Sequence, residues 1–303
     1  MKFDYYAPSS VEEAVKLLEQ TEGRGSIKAG GTDLLLQMRN HNTFGRCWAC
    51  RACTYPACPK KKLDPPSVLI GIMRIGDLRG VALENGHLSI RAATVINSLA
   101  SNAIVKKHLP LLAEVAQQIG SEELRNLATV GGNVCNADPV ADLVPCLMSL
   151  DGRVLVLGPS GTREMRLSEF ITSRNKVRLE TSEILLEVRV PLENLVSSGY
   201  QRYSSSPVMG RTLSAAMATI RQSDGGYDLQ VAVSGLSLKP VVSTIALSYD
   251  KIRSFDVKKE AEQIVQGIKA VDFWGSSTAY RKHLATLATS KSIASALRGV
   301  GPS

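Results

Sequence analysis

The sequence has few aromatic residues, few histidines and no long apolar run. Phe, Trp and Tyr make up 5% of 303 residues, a thin supply for the stacking platforms on which proteins read unpaired bases. No stretch reaches the ~18 uncharged apolar residues that a membrane-spanning helix needs. The start, Met1-Lys2-Phe3-Asp4-Tyr5-Tyr6, sets an acid just behind the basic residue with no apolar run after it. No secretory signal is therefore expected, and the expected compartment is the cytoplasm. The four histidines, His41, His87, His108 and His283, are scattered without metal-ligand spacing. No Ser/His/Asp nucleophile arrangement can be assembled either.

What is present is an ordinary globular composition, 44% hydrophobic and 21% charged, in a chain long enough for two domains of ~100–200 residues each. The net charge of +8 comes from 36 basic against 28 acidic residues, a balance that raises the question of nucleic acid. Its distribution answers the question. Arg39, Arg46, Arg51, Lys60, Lys61 and Lys62 lie in one segment without an acid, and the same segment holds Cys47, Cys50, Cys53 and Cys58.

Periodicity predicts a strand and then a helix at the start, with Ser10 and Glu13 as a capping box and Val11, Ala14, Val15 and Leu18 on one face. A strand at Ser26–Ala29 enters Gly30-Gly31-Thr32-Asp33, and a helix opens at Leu34–Met38. Strands follow at Val68–Ile72 and His87–Ala92, the second after the hairpin signal Asn85-Gly86. Helices are expected at Leu109–Ile119 and Glu122–Leu127, then a stretch of small and polar residues over 128–142, then a helix at Leu143–Leu150. Arg153–Leu157 and Ile184–Val190 read as strands, and a domain break is expected in the polar stretch 172–180. Beyond it come strands Ser214–Ile220, Leu229–Leu236 and Ser243–Ser248, with Asp224-Gly225-Gly226 as a turn, and helices Val257–Ile268 and Phe273–Leu297. Strands first and helices last predict an α+β architecture.

The array Cys47-x2-Cys50-x2-Cys53-x4-Cys58-Pro59 can wrap a cubane, and its closing Cys-Pro parallels the bacterial ferredoxin run with one extra residue before the last thiolate. A [4Fe-4S] cluster is the leading expectation. Zinc is the rival, although zinc ribbons use two separated Cys-x2-Cys knuckles. Disulfides suit a cytoplasmic chain poorly. Arg46, Arg51 and the Lys60–Lys62 run could offset an anionic cluster, though such a lysine run is more simply a solvated face. Cys135 and Cys146 read as small packing residues.

The second signal is a pair of Gly-Gly turns, Gly30-Gly31 with Thr32 and Asp33 nearby, and Gly131-Gly132 with Thr129, Asn133 and Asp142 nearby. Such a pair lets backbone N–H groups approach an anion, and a following helix start adds a favourable dipole. Neither is a Walker loop or a Rossmann turn. Two of them suit a diphosphate-containing cofactor held between subdomains.

These residues resemble a known family. Lys28-Ala29-Gly30-Gly31-Thr32-Asp33-Leu34 and Ala128-Thr129-Val130-Gly131-Gly132-Asn133, followed by Asp138-Pro139-Val140-Ala141-Asp142, are similar to the two FAD loops of the flavin (medium) subunit of molybdenum hydroxylases, the xanthine dehydrogenase and carbon monoxide dehydrogenase family. Arg91-Ala92-Ala93-Thr94, Glu183-Ile184-Leu185-Leu186 with Pro191, Tyr200-Gln201-Arg202 and Tyr280-Arg281-Lys282-His283-Leu284 extend the likeness along nearly the whole chain. The resemblance implies a FAD-binding domain of the vanillyl-alcohol-oxidase/PCMH type over residues 1–175, followed by a smaller α+β domain over 176–300 with an antiparallel sheet and helices. It implies FAD contacts from Lys28 to Asp33, Thr94, Thr129 to Asn133, Asp138, Asp142, Ile184, Leu185 and Arg202, with Asp142 on the adenosine side and Arg202 near the polar edge of the flavin. The departure is the insertion over about 41–64, directly after the first loop.

The function so implied is an electron-transfer subunit. It would work beside a molybdopterin-binding large subunit and a [2Fe-2S] small subunit, and pass electrons through FAD and the extra cluster to an external acceptor such as NAD or ferredoxin. No catalytic side chain is expected, because the cofactors supply the chemistry. Two rivals are a stand-alone FAD oxidoreductase of the same fold, which needs substrate residues that the sequence does not show, and a zinc-knuckle nucleic-acid binder, which needs basic and aromatic residues spread along one face.

Overall fold

The computed structural model describes residues 2–44, 66–206, 210–250, 252–272 and 276–300. Its first layer is a three-stranded parallel sheet, order β1-β3-β2, built from β1 (Asp4–Tyr6), β2 (Gly25–Lys28) and β3 (Val68–Gly71). Helix α1 (Val11–Gln20) starts where the capping signal places it. The Ser10 hydroxyl accepts from the Glu13 N–H at 3.2 Å, and the Glu13 carboxylate reaches back to the N–H of Ser9 at 2.7 Å, a capping box whose return bond is displaced by one residue. The stripe Val11, Ala14, Val15 and Leu18 is buried in one cluster with Ile70 and Ile72. Strand β2 leaves through Gly30-Gly31 into α2 (Leu34–Phe44). Because β2 and β3 are parallel, their carboxyl ends share one edge, the edge at which open parallel sheets bind ligands.

The second layer is a five-stranded sheet, order β4-β5-β10-β6-β7. Strands β4 (Val81–Glu84) and β5 (His87–Arg91) form the expected hairpin, whose turn residues Asn85 and Gly86 take φ of 46° and 79°, as a type I′ turn requires. Six short helices follow: α3 (Ile96–Ser101), α4 (Ala103–His108), α5 (Pro110–Gln117), α6 (Glu122–Leu127), α7 (Val130–Asn136) and α8 (Leu143–Ser149). The chain then returns as β6 (Arg153–Gly158) and β7 (Gly161–Arg166), α9 (Leu167–Phe170), a small ribbon of β8 (Ile171–Ser173) with β9 (Lys176–Val177), and β10 (Ile184–Pro191). Leu88, Ile90, Val154, Val156, Val188 and Val190 point from the sheet into a core shared with α3, α4, α5, α7 and α8.

The third layer is an antiparallel meander of β11 (Leu195–Ser204), β12 (Thr212–Ser223), β13 (Gly226–Ser234) and β14 (Val241–Ser248), followed by α10 (Val257–Gln266) and α11 (Thr278–Arg298). Alternate residues of β12 serve two cores, as a period of two dictates. Ala215 and Met217 join the core around α8, while Ala216, Ala218 and Ile220 pack with Ile264, Ala285, Ala288 and Ile293 of the two closing helices. Every residue of α8 is buried, as befits an apolar helix held between layers.

The architecture is the expected α+β mixture, with local differences. The stretch 128–142 contains α7, which its glycines hid from the sequence pattern. Strand β7 escaped notice because its burial alternates between exposed and half-buried positions along a polar edge strand, and β11 because its polar run is broken by Gly199. The polar stretch 172–180 does not separate the sheets. It carries the β8–β9 ribbon, and β10 beyond it is the central strand of the second sheet, so sheet membership changes only between Pro191 and Leu195. Among the described residues no helix is long and apolar enough to cross a membrane.

Candidate functional site

A cleft of about 350 Å³ opens between the first and second sheets, within the usual range for a small-molecule site, ~300–1,000 Å³. Eleven residues that the sequence singled out line it: Ala29, Gly30, Gly31, Thr32, Asp33, Thr129, Gly131, Gly132, Asn133, Ile184 and Leu185. The first loop enters from the carboxyl end of β2, the second from Thr129 and the first turn of α7, which Thr129 caps, and Ile184 and Leu185 from the start of β10.

The glycines do different things. A side chain at Gly30 would place its Cβ 1.8 Å from the Leu127 carbonyl oxygen, and one at Gly131 would lie 2.7 Å from Ala92 Cβ; both are glycine because backbone packs on backbone there. Gly31 has φ +76°. At Gly132 a Cβ would meet only the Thr129 hydroxyl, at 2.9 Å, so the missing side chain there leaves room on the cleft side. The N–H groups of the second loop are already engaged. Val130 donates to Thr94 O at 2.9 Å, Gly131 to Ala92 O at 2.8 Å, Gly132 to Thr129 Oγ1 at 3.0 Å and Asn133 to Thr129 O at 2.9 Å. This corrects the expectation that both glycine pairs turn their N–H groups to an anion. The second loop offers close approach; at the first, where an eleven-residue helix begins, Leu35 N–H donates to Gly31 O at 3.0 Å and Gln37 N–H to Asp33 O at 2.9 Å, and the helix start adds a dipole that favours an anion.

Lys28 lies outside the lining but folds over the first turn, its Cε 3.2 Å from the place a Gly31 Cβ would take. It has no carboxylate partner among the described residues. The carboxylate on the opposite wall, Glu183, is held in a two-pronged fork by Arg163, 2.7 Å at each prong. Those bonds and the Glu180 N–H keep its carboxyl below the usual range, so its charge is answered locally. The Asn133 Oδ1 atom is buried and unpartnered, an acceptor that a polyhydroxylated ligand could satisfy. Apolar walls from Ile27, Leu34, Ile72, Ala92 and Leu179 complete the cleft. A dinucleotide with a diphosphate and a flat ring fits this set: glycine approach and a cation for the diphosphate, an orphan acceptor for hydroxyls, and apolar walls for the ring.

Other expected residues lie elsewhere. Val130 is fully buried in the core. Thr94 is buried beneath a separate hollow, its hydroxyl donating to Gly80 O and accepting from Gly80 N, each at 2.9 Å. Its carbonyl supports the second loop. Asp138 accepts from the Val140 N–H at 3.2 Å in the turn after α7. Asp142 and Arg202 do not line the cleft. They pair with each other at 3.5 Å, Asp142 also accepts from Thr212 at 2.9 Å, and Arg202 donates to Gln118 O at 2.8 Å, so they join the start of α8 to the third sheet. Burial pushes the Asp142 carboxyl up to about 6, against the opposing pull of Arg202 and Thr212. Cys47, Cys50, Cys53 and Cys58 lie outside the described residues.

The sequence also left out cleft residues. Gln37 donates to Asn136 Oδ1 at 3.4 Å and Asn175 Nδ2 donates to Asn136 O at 2.7 Å, an amide bridge that closes one end between α2, α7 and the polar stretch. The signal for Gln37 was its i+4 spacing from Asp33 on one helix; for Asn175 it was an Asn in a polar turn, here at φ 51°. Cys135 also lines the cleft, and burial pushes its thiol up to about 12, leaving it neutral and unreactive at ordinary pH.

Residues 55–193 match the family described as "FAD binding domain in molybdopterin dehydrogenase". The chain is 27% identical to the xanthine dehydrogenase FAD-binding subunit of Escherichia coli O157:H7, over 98% of this chain and 97% of that one. It is 34% identical to the carbon monoxide dehydrogenase medium chain of Hydrogenophaga pseudoflava over 63% of this chain and 59% of that one. The solved structure of carbon monoxide dehydrogenase from Hydrogenophaga pseudoflava, in the form that lacks the Mo-pyranopterin moiety, superimposes with a TM-score of 0.82 at 25% identity over 99% of this chain and 98% of that one. Quinoline 2-oxidoreductase from Pseudomonas putida 86 shares the fold, with a TM-score of 0.82. The chain is thus similar to FAD-binding and medium subunits of xanthine and carbon monoxide dehydrogenases.

Proposed function

We propose that this chain is the FAD-binding electron-transfer subunit of a molybdopterin-dependent hydroxylase or dehydrogenase, acting in the cytoplasm with a molybdopterin-binding large subunit and a [2Fe-2S] small subunit. The observation that carries the proposal is the cleft at the carboxyl edge of the parallel strands, where two glycine turns from opposite layers meet. FAD bound there would exchange electrons singly or in pairs. The chain's own residues bind and orient it. Gly30 to Asp33 with Lys28 face the diphosphate, Gly132 admits it, Asn133 accepts from a hydroxyl, and Ile184 and Leu185 wall the ring. In this arrangement Thr94, Val130 and Asp138 hold the loops from behind, and Asp142 with Arg202 braces the site at its flank on the third sheet.

The domain division belongs to the same proposal, with a PCMH-type part followed by a C-terminal part. In this proposal we set the break at residues 192–194 rather than at 175/176, a reading supported by β10, which completes the second sheet. For the insertion we keep the [4Fe-4S] assignment to Cys47, Cys50, Cys53 and Cys58. Support comes from the donor set, since four thiolates at this spacing suit a cubane better than one tetrahedral metal. The external acceptor is NAD, ferredoxin or another carrier. The experiment is reconstitution of the full chain with FAD, followed by titration of the flavin spectrum. A stoichiometric, saturable flavin supports the assignment, and a folded chain that takes up none rejects it.

A further inference from the structure

The strand that walls the cleft, β10, is out of phase with itself. Leu185, Val188 and Val190 all enter the helical core although the first gap is three residues, while Ile184 and Leu186 face the core of the first layer. A β-bulge resolves the mismatch. Leu185 pairs with Val156 and Glu187 with Leu155, so Leu186 is the extra residue. The first residue past the bulge is Glu187, fully buried. Arg91 Nη1 lies 2.7 Å from one of its oxygens and Arg189 Nε 2.6 Å from the other, and the Ser89 hydroxyl donates to it as well. Burial alone would raise its carboxyl, but the bonds from Ser89 and Arg189 and the charges of Arg91 and Arg189 outweigh it and hold the group below its usual range.

A slip of the bulge by one residue would send this carboxylate into the helical core, where an unpaired charge is strongly disfavoured. The partners fix more than register. Arg91 pairs with Glu187 in the ladder, and the next residue, Ala92, donates to Leu186 O at 2.8 Å and accepts from the Gly131 N–H at 2.8 Å. A continuous relay runs from Glu187 through Arg91 and Ala92 to the second glycine loop. Arg189 leads the other way, to Glu164 at 2.8 Å on β7.

We propose that Glu187 is a positioning residue of the cleft: paired with Arg91, it locks the bulge at Leu186 and so sets the Ile184–Leu185 wall against the glycine loop. This rests on the flavin assignment above. The test measures FAD affinity, flavin absorption fine structure and thermal stability for the full chain and for Glu187→Gln, Arg91→Gln and Arg189→Gln. Glu187→Gln and Arg91→Gln should weaken FAD binding about tenfold or more, the scale usual for residues supporting a bound group, and should blur the flavin fine structure. Arg189→Gln should lower the melting temperature yet change affinity by no more than about twofold. Equal losses of melting temperature in all three variants, with wild-type affinity and spectrum, would show a merely structural network and overturn the proposal. If Glu187→Gln does not fold, Arg91→Gln against Arg189→Gln decides alone. A folded wild-type chain that binds no FAD removes the flavin assignment itself, an outcome distinct from wild-type binding with an unaffected Arg91→Gln.

Discussion

Two glycines that look alike in the sequence have opposite tolerances, and the difference separates folding from binding. Gly30 abuts the Leu127 carbonyl, 1.8 Å from a would-be Cβ, whereas Gly132 abuts only a hydroxyl at 2.9 Å. Gly30→Ala should therefore cost stability, about 2 kcal/mol or more, because backbone cannot step aside as a side chain can. Gly132→Val should fold, with a melting temperature within about 4 °C of wild type, yet lose flavin, because its side chain fills the space left for the diphosphate. Circular dichroism melts and flavin titration check both, and full flavin uptake by folded Gly132→Val would show that the second loop has another role. Asp142 gives a second residue-scale expectation. Its carboxyl titrates at about 6 instead of 3.8, so between those values the native chain holds a proton that the unfolded chain has released. Stability from this group is complete below about pH 4 and falls as pH rises through about 6. The melting temperature of wild type relative to Asp142→Asn should therefore decline between about pH 4 and about pH 6.5. A relative melting temperature that is flat or rising over that interval would mean that Asp142 is ionised throughout.

At the scale of elements, the insertion and the FAD loops share α2 but no residues. The two glycine loops contain none of the four cysteines, so under the proposed function Cys50→Ser should abolish the proposed cluster and leave flavin binding intact. Iron, sulfide and zinc would be assayed after anaerobic reconstitution, with electron paramagnetic resonance of the reduced protein. About four irons per chain and a signal lost in the variant are expected; stoichiometric zinc without iron would replace the cluster by a zinc knuckle. How much of this could be read from sequence depended on which interactions shape each element. Helix α1 and the Asn85-Gly86 hairpin are set by local caps and turn chemistry, so their patterns sufficed. Helix α7 was hidden because its stability comes from the Thr129 cap and from donation to Ala92 and Thr94, partners more than thirty residues away. The two glycine loops were legible because close backbone approach demands glycine. Asn175 and Asn136 were not, since only the fold brings their segments together at the cleft.

At the scale of the whole molecule, the layers divide the labour. The first two sheets enclose the cleft, and α8, buried on every side, ties them to the third sheet through Asp142 with Arg202 and Thr212. Of the titratable side chains on the cleft wall, Glu183 is locked to Arg163 and the Cys135 thiol is held neutral by burial, while Asp33 belongs to the first glycine loop. General acid–base catalysis calls for a group poised near working pH within reach of the substrate, and neither Glu183 nor Cys135 meets that need. Under the proposed function, a flavin in this cleft would have apolar walls beside its ring and would supply the chemistry itself, which suits relay of electrons rather than recognition of an organic substrate. The FAD-loaded chain, purified without its partners and free of molybdenum, should therefore pass electrons between a nicotinamide or an artificial dye and its flavin, and should hydroxylate nothing. Stopped-flow bleaching of the flavin measures the first, and chromatographic assay of candidate heterocycles and aldehydes for incorporated oxygen measures the second. Hydroxylated product from the molybdenum-free chain would end the subunit assignment and point to a self-sufficient flavin oxidoreductase. Flavin turnover with a dye alone, followed by substrate turnover only when molybdenum and [2Fe-2S] subunits are added, is the result that the divided cleft implies.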